Sequence, residues 1–289
     1  MNLLPASLRK RWEDRPPVVP VVRMAGPIMA QSSPLRPALS LSTVAGQLEK
    51  AFTMKRAPAV AISINSPGGS PVQSRFIFQR IRDLAKEHGK KVHVFVEDAA
   101  ASGGYMIACA GDDITADPSS IVGSIGVVSA GFGFVDAIDK LGVERRVVTA
   151  GENKAILDPF QPVKEDEVQR LRDLQQEVHG VFIDLVKQAR GERLGDHPEM
   201  FTGAFWTGLK GEELGLVDAV GDLRGSLRAR YGDKVKIRVI EVRKGLFGRG
   251  RGFGLSNTLA HAPDRLAGAG VRAMVDAAEE RALWGRLGL

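Results

Sequence analysis

The stretch KVHVFVEDAAASGGY, residues 91–105, joins a predicted strand to a predicted helix. Its first seven residues are mostly β-branched or apolar, which is typical of a strand buried in a sheet. The remainder sets Ser102 between alanines on one side and two glycines on the other. Small neighbours let a second backbone or a ligand come close. The serine is therefore either the cap of the helix or a nucleophile presented to a ligand.

Short β-rich runs alternate with helical patterns along the rest of the chain. The predicted strands are 18–24, 58–64, 91–97, 143–149 and 234–242. The predicted helices are 41–54, 70–88 and 164–190. A β-α-β-α-β order implies parallel strands joined by right-handed crossovers. We therefore expect an α/β fold with a mostly parallel sheet, followed by a Gly/Arg-rich linker and a terminal helix at about 262–286.

Composition and charge limit the classes of partner and the compartment. The formal charge of +6 comes from 40 basic and 34 acidic residues, and no nucleic-acid-binding motif is present, so we expect no nucleic-acid partner. The single cysteine, Cys109, excludes an internal disulfide and favours a reducing compartment. We see no signal peptide or membrane-spanning run and predict a cytoplasmic location. Peripheral contact of both ends, the basic N-terminal segment and the amphipathic C-terminal tail, with a membrane surface is the alternative. We expect no metal or cofactor.

Two glycine-rich loops follow neighbouring predicted strands. They are NSPGGS, residues 65–70, and DAAASGG, residues 98–104. Ligands of open α/β sheets bind at the carboxyl ends of the strands, where both loops are expected. Backbone N–H groups in such loops are unobstructed by side chains. Together the loops predict an oxyanion hole, a pair of donors directed at a developing negative oxygen.

A serine nucleophile needs a base, and the histidines do not supply an obvious one. They are His88, His93, His179, His197 and His261. His88 and His93 flank a turn at the wrong end of the strand, whereas His179 and His197 stay open as candidates. Lysine is the alternative base, and Lys154 lies in AGENKAILDPF, residues 150–160. A single lysine is most often a solvated surface charge, so both interpretations of Lys154 stay open on the residues alone.

Four motifs, in order, resemble the signal peptide peptidase A family. They are INSPGG at 64–69, AASGGYMIACAGDDITADPSSIVGSIGV at 100–127, AGENKAILDPF at 150–160 and FWTGLKGEELGLVDAVG at 205–221. These are the serine peptidases of family S49. The resemblance covers about 18–243 and implies a ClpP/crotonase-like fold of repeated β-β-α and β-α units. It leaves 1–17 as a basic N-terminal segment and 244–289 as the linker and C-terminal helix.

The resemblance also implies a role for each matching residue. The roles are nucleophile for Ser102, general base for Lys154, orientation of that lysine for Ser124, and oxyanion donors for Gly68, Gly69 and Gly103. It implies a Ser-Lys endopeptidase acting through an acyl-enzyme on peptides or small protein fragments, remnant signal peptides among them. The half-length layout implies a ring-like homo-oligomer in which the serine and the lysine come from adjacent protomers. One departure from the family pattern is that we see no N-terminal membrane anchor.

Two other classes of function are weighed against this one. An acyl-CoA hydratase or isomerase of the crotonase fold also uses a two-glycine oxyanion hole, but it needs carboxylates for proton transfer. Asp98 is the only acidic residue in either loop. The second alternative is an inactive scaffold in a membrane-associated assembly.

Overall fold

Residues 16–32, 37–241, 281–282 and 284–289 are described by the structure, a computed structural model. The strands are β1 (Val18–Ala25), β2 (Ala59–Ser66), β3 (Lys91–Ala101), β4 (Asp113–Ala116), β5 (Ile121–Gly123), β6 (Phe205–Thr207), β7 (Ala219–Val220) and β8 (Lys236–Val239). The α-helices are α1 (Leu41–Phe52), α2 (Pro71–His88), α3 (Gly103–Ala108), α4 (Val135–Lys140), α5 (Glu165–Arg190), α6 (Gly208–Glu213) and α7 (Leu223–Tyr231).

One sheet collects all eight of these strands. The order along it is β6-β5-β3-β2-β1-β8, and β4 bridges β3 and β7. Every pairing is parallel except that of β5 with β6. This arrangement confirms the predicted α/β class with a mostly parallel sheet. β3 is the longest strand. It pairs with β4 through its first half and with β5 at its end, so the chain leaves β3 beside the end of β5.

The two faces of the sheet bury different sets of side chains. On one face, alternate residues of β1, β2 and β3 join the main core with helices α1, α2, α3 and part of α5. On the other face, α7 covers a smaller apolar cluster through Leu227. The helix ends follow local sequence rules: Ser70 caps α2 ahead of Pro71, and Gly89 ends it with φ 60°. The carboxyl ends of β2 and β3 lie side by side because the two strands pair in parallel as far as Ser66 and Ala100.

The predicted strand at 143–149 is wrong. These residues form no strand, and Val148 is 99% exposed. A strand needs a partner ladder and at least one buried face, and this segment has neither within the described chain. Four short strands, β4 to β7, were not predicted. Each has only two to four residues, too few to show the alternation of apolar and polar side chains that indicates a strand.

Two predicted regions lie largely outside the described residues. They are the basic N-terminal segment 1–17 and the linker with the terminal helix, 244–289. From the second region, Trp284 and Leu287 are described and pack against Ala99, Ala101 and Ile121. Over the described parts of the chain, no helix combines the length and the apolar character that crossing a membrane requires.

Candidate active site

Ser102 lies at the junction of β3 and α3, in a backbone conformation that serine rarely adopts. Its φ is 51° and its ψ is −121°. The Ser102 N–H donates to the carbonyl oxygen of Gly123 at 2.8 Å, and its carbonyl accepts from Met106 N–H at 3.0 Å. These two bonds fix the turn from both sides. A non-glycine residue held at positive φ by its surroundings is a feature that clusters at functional sites.

Glycines next to Ser102 are required by close backbone contacts. A Cβ on Gly68 would lie 2.8 Å from the Ser102 Cβ, and Gly68 itself has φ 103°. A Cβ on Gly103 would lie 2.3 Å from the hydroxyl of Ser74, and one on Gly104 would lie 2.7 Å from the carbonyl oxygen of Ser66. The two glycine-rich loops therefore touch each other around Ser102, as their places in the sequence predicted.

Ser124 lies beside this turn, at the end of β5. It too has a positive φ, 53°. Its N–H donates to the carbonyl oxygen of Ala204 at 2.7 Å, and its own carbonyl accepts from Gly126 N–H at 3.0 Å. Because β5 pairs with the end of β3, Ser124 and Ser102 face the same opening.

This opening is a cleft of about 570 Å³. Its polar lining includes Ser102, Ser124 and His179, together with the backbone of Gly69 and Gly103. Its apolar lining consists of Pro67, Pro71, Met106, Val127, Val128, Val178, Phe182, Phe205 and Leu287. Among the described residues the Ser102 hydroxyl makes no hydrogen bond, so it is free to meet a ligand in the cleft.

Lys154 does not line the cleft of its own chain. It lies in an exposed turn, where its N–H donates to the carbonyl oxygen of Gly151 at 3.2 Å. The turn belongs to residues 127–164, a segment that begins at the cleft with Val127 and Val128 and ends where α5 begins, at Glu165. A single chain therefore brings Ser102, Ser124, Gly69 and Gly103 together and leaves Lys154 apart.

His179 is a cleft residue that sequence reasoning left undecided. It lies on α5, and its Nε2 lies 3.0 Å from the carbonyl oxygen of Ile125. Phe182 and Val186 are buried in the core. Because His179 is spaced from them at helical intervals, it lies on the same face of α5, and this spacing is the sequence signal that could have directed it inward. That this face of α5 reaches the end of β5 depends on tertiary packing, which no local sequence pattern indicates.

Two other groups near the cleft are unsuited to catalysis. Burial raises the pKa of the Cys109 thiol to about 12, so it stays protonated and inert near neutral pH. The carboxylate of Asp98 accepts a hydrogen bond from the side chain of Asn65, and Asp98 does not line the cleft.

A family model described as peptidase family S49 matches residues 84–235. The Haemophilus influenzae protein named protease 4 is 35% identical over 181 residues, which cover 62% of this chain and 29% of that protein. The chloroplastic serine protease SPPA of Arabidopsis thaliana is 31% identical over 209 residues, 71% of this chain and 31% of that protein.

A longer bacterial protein matches the whole chain. The Brucella abortus protein named Na(+)/H(+) antiporter NhaA is 57% identical over all 289 residues, and the chain spans 39% of its length. Among solved structures, a mutant of the 1510-N membrane-bound stomatin-specific protease superposes with a TM-score of 0.49 and 17% identity. It covers 78% of this chain and 99% of its own.

Proposed function

The chain belongs to peptidase family S49, and from this premise we propose that it is a serine-type peptidase with Ser102 as its nucleophile. The observation that carries the proposal is the turn at Ser102. A serine with φ 51° ends a central strand, is framed by glycines of two loops, and directs an unbonded hydroxyl to a cleft. A helix cap needs none of these features, and no N-cap hydrogen bond from its side chain is formed.

The proposed reaction passes through an acyl-enzyme. The Ser102 Oγ attacks the carbonyl carbon of the scissile peptide bond, and its proton moves to the neutral amine of Lys154. The tetrahedral intermediate then collapses, the C–N bond breaks, and the leaving amine takes that proton. Water then attacks the ester carbonyl while the same lysine takes its proton. The acyl C–O bond breaks, the lysine returns the proton to the Ser102 Oγ, and the second product leaves.

Gly69 and Gly103 are the proposed donors to the oxyanion. Both line the cleft, and Gly103 opens α3, where an N–H has no acceptor within the helix. The Gly68 N–H already donates to the Ser66 hydroxyl at 3.2 Å. We therefore assign Gly68 a steric role, which is to let the first loop pass against Ser102.

The base in this proposal is Lys154 of a neighbouring protomer. Lys154 is exposed and outside the cleft of its own chain. A lysine accepts a proton only when neutral, and a subunit that covers it disfavours the charged ammonium. Ser124, on the rim beside Ser102, is the proposed hydrogen-bond partner that orients the incoming amine.

The segment that carries Lys154 has the surface expected of an interface. Its large apolar side chains are exposed to an extent unusual for a monomer, including Phe132 at 81% and Leu141 at 77%. Repeating one contact around a closed ring would bury this segment in every subunit and complete every site. We propose a ring-like homo-oligomer on these grounds.

The proposed substrates are peptides with small or apolar residues before the scissile bond. The cleft wall is mostly apolar, with Met106, Val178 and Phe182 among its members, and Arg286 is the one charged side chain among the described residues that line it. Remnant signal peptides are of this kind and are included in the proposal.

Other functions have less support. The acyl-CoA alternative needs a carboxylate in the cleft, and Asp98 is bonded elsewhere. The antiporter name belongs to proteins more than twice as long, and the family match of this chain is to peptidases, so we propose no ion transport. A cytoplasmic location stays a prediction.

The test is the hydrolysis of apolar peptides by the Ser102→Ala variant. We expect a loss of several orders of magnitude in kcat with an unchanged circular dichroism spectrum, because the nucleophile is removed and the fold is kept. Ser119→Ala is the matched control, since Ser119 lies in an exposed turn. Near wild-type turnover by Ser102→Ala would refute the proposal.

A further inference from the structure

His179 reaches across the cleft to the loop that carries Ser124. Its Nε2 lies 3.0 Å from the carbonyl oxygen of Ile125, a residue 54 positions earlier in the chain. A carbonyl oxygen only accepts hydrogen bonds, so Nε2 carries a proton and donates it. The neutral tautomer with its proton on Nε2 and the imidazolium both have this donor.

The loop that His179 holds, Gly123–Gly126, is tied down at each residue. Gly123 accepts from the Ser102 N–H, and Ser124 donates to Ala204. Gly126 approaches Gly203 so closely that a Cβ on Gly126 would lie 2.9 Å from the Gly203 Cα. The side chain of Ile125 is fully buried. His179 supplies the donor for the carbonyl of that residue.

The hydrogen bond between His179 and Ile125 lies where the chain leaves the core. Directly after Gly126 the exposed segment 127–164 begins, and it carries Lys154. Gly126 and the hydrogen bond of His179 to Ile125 therefore anchor the N-terminal end of this segment. Any movement of Ile125 would shift Ser124, which is adjacent to it, and would redirect the segment beyond.

We infer that His179 is a positioning residue for the reaction proposed above, on which the inference rests. By donating to Ile125 it holds Ser124 at φ 53° and fixes the direction in which the lysine-bearing segment leaves the core. A residue held in the left-handed region persists only when its surroundings determine it. His179 acts through Ser124 and Lys154 and takes no proton from Ser102.

The geometry argues against His179 as the base. Its Nε2 proton is already donated to Ile125, so that nitrogen has no lone pair to offer Ser102. Among the described residues, no histidine nitrogen, Nδ1 of His179 included, is hydrogen-bonded to the Ser102 hydroxyl. A triad base is instead expected within hydrogen-bond reach of its nucleophile.

Two variants of His179 separate the roles. His179→Gln keeps an N–H donor at a similar reach, whereas His179→Met has similar length and no donor. The experiment measures kcat, KM and the pH profile on an apolar peptide, with active sites counted by a fluorophosphonate. We expect His179→Met to lower kcat about threefold to tenfold per active site, the effect of one lost hydrogen bond. KM and the shape of the pH profile should stay unchanged, and His179→Gln should restore most of kcat.

The controls distinguish failure of this inference from failure of the proposed function. His88→Gln, at the far end of α2, should behave as wild type. If His179→Met keeps the wild-type kcat per site while Ser102→Ala and Lys154→Ala are inactive, only the positioning role is wrong. If His179→Gln is as inactive as Ser102→Ala while Lys154→Ala is active, His179 is the base; the positioning role and the assignment of Lys154 as base are then both wrong, and only Ser102 as nucleophile is kept.

Discussion

Three described residues other than glycine have a positive φ, and all three lie in segments assigned to the reaction. They are Ser102, Ser124 and Leu157, the last of which is three positions after Lys154. Each such conformation costs about 1–3 kcal/mol and persists only where neighbouring bonds determine it. At Ser102 those neighbours are Gly123 and Met106. The strain is local to the segments of the proposed site, and at Ser102 the neighbouring glycines make room for it.

The first prediction concerns Gly68→Ala. The new methyl group would lie 2.8 Å from the Ser102 Cβ on a residue with φ 103°, so the turn must shift. We expect kcat/KM to fall at least tenfold, since the nucleophile moves relative to the oxyanion donors. Gly46→Ala is the matched control: Gly46 lies inside α1 with open space around it, and alanine should stabilise the helix by about 0.5–1 kcal/mol. Equal activity of the two variants would show that the contact at Ser102 is unimportant.

The meeting of the two glycine loops at Ser102 could be predicted because its signals in the sequence are local. A strand, small residues and a helix start follow one another within fifteen positions, 91–105. The contact made by His179 could not be predicted in this way. Its partner, Ile125, is 54 positions away, and the contact depends on how α5 packs against the end of β5.

At the scale of elements, a buried ion pair ties the end of α5 to the sheet. Arg190 is 1% exposed in its side chain and binds both oxygens of Asp218, at 2.8 and 3.0 Å. Asp218 also accepts from the N–H of Ile114 in β4. Burial acts to raise the pKa of Asp218, but the hydrogen bonds and the charge of Arg190 outweigh it, and the net shift is downward.

The second prediction is that Asp218→Asn destabilises the protein in a pH-dependent way. It leaves the Arg190 guanidinium buried without its counter-charge, which costs about 3–5 kcal/mol at pH 7. A carboxyl whose pKa is lower in the folded protein stabilises above its unfolded pKa, about 3.9, and this stabilisation disappears as the pH falls through the folded value. The difference in unfolding free energy between wild type and variant, measured in urea, should therefore shrink below about pH 4.

The control for this prediction is Asp173→Asn. Asp173 is on the exposed face of the same helix, where it accepts only from the Gln169 side chain. Its loss should change the free energy of unfolding by less than about 0.5 kcal/mol. A difference for Asp218→Asn that stays constant from pH 7 to pH 3 would contradict the electrostatic explanation.

Elements were predicted best where they are long and periodic. The helix expected at 164–190 is observed as Glu165–Arg190, and the strand expected at 58–64 as Ala59–Ser66. The strand expected at 143–149 fails because its β-branched residues find no neighbouring strand. Propensity alone does not make a strand when tertiary contacts are missing.

At the scale of the whole molecule, one described chain holds an incomplete site. The proposed nucleophile, the proposed oxyanion donors and Ser124 share the cleft, and Lys154 lies on an exposed segment with apolar side chains. A second copy can supply the lysine and cover that segment at once. Neither the oligomer nor the shared site follows from the residues of a single chain, since both depend on contacts between chains.

The third prediction is complementation between two inactive variants. Ser102→Ala and Lys154→Ala are mixed in equal amounts, unfolded and refolded together. A site shared by adjacent protomers has both residues intact in about one quarter of randomly assembled interfaces, so about one quarter of wild-type activity should return. Each variant refolded alone is the control. Mixed oligomers verified by mass that stay inactive would place Lys154 in the same chain as its Ser102.

The central claim, that Ser102 is the nucleophile of a serine-type peptidase, is tested most directly by locating a covalent adduct. The wild-type protein is reacted with a fluorophosphonate, digested and sequenced by mass spectrometry, alongside Ser102→Ala and Ser119→Ala. We predict one phosphonylated residue, Ser102, in wild type and Ser119→Ala, with loss of peptidase activity in proportion to labelling, and no adduct in Ser102→Ala. Labelling of Ser102→Ala at the wild-type rate, or an adduct on another residue that accounts for the lost activity, would contradict the claim.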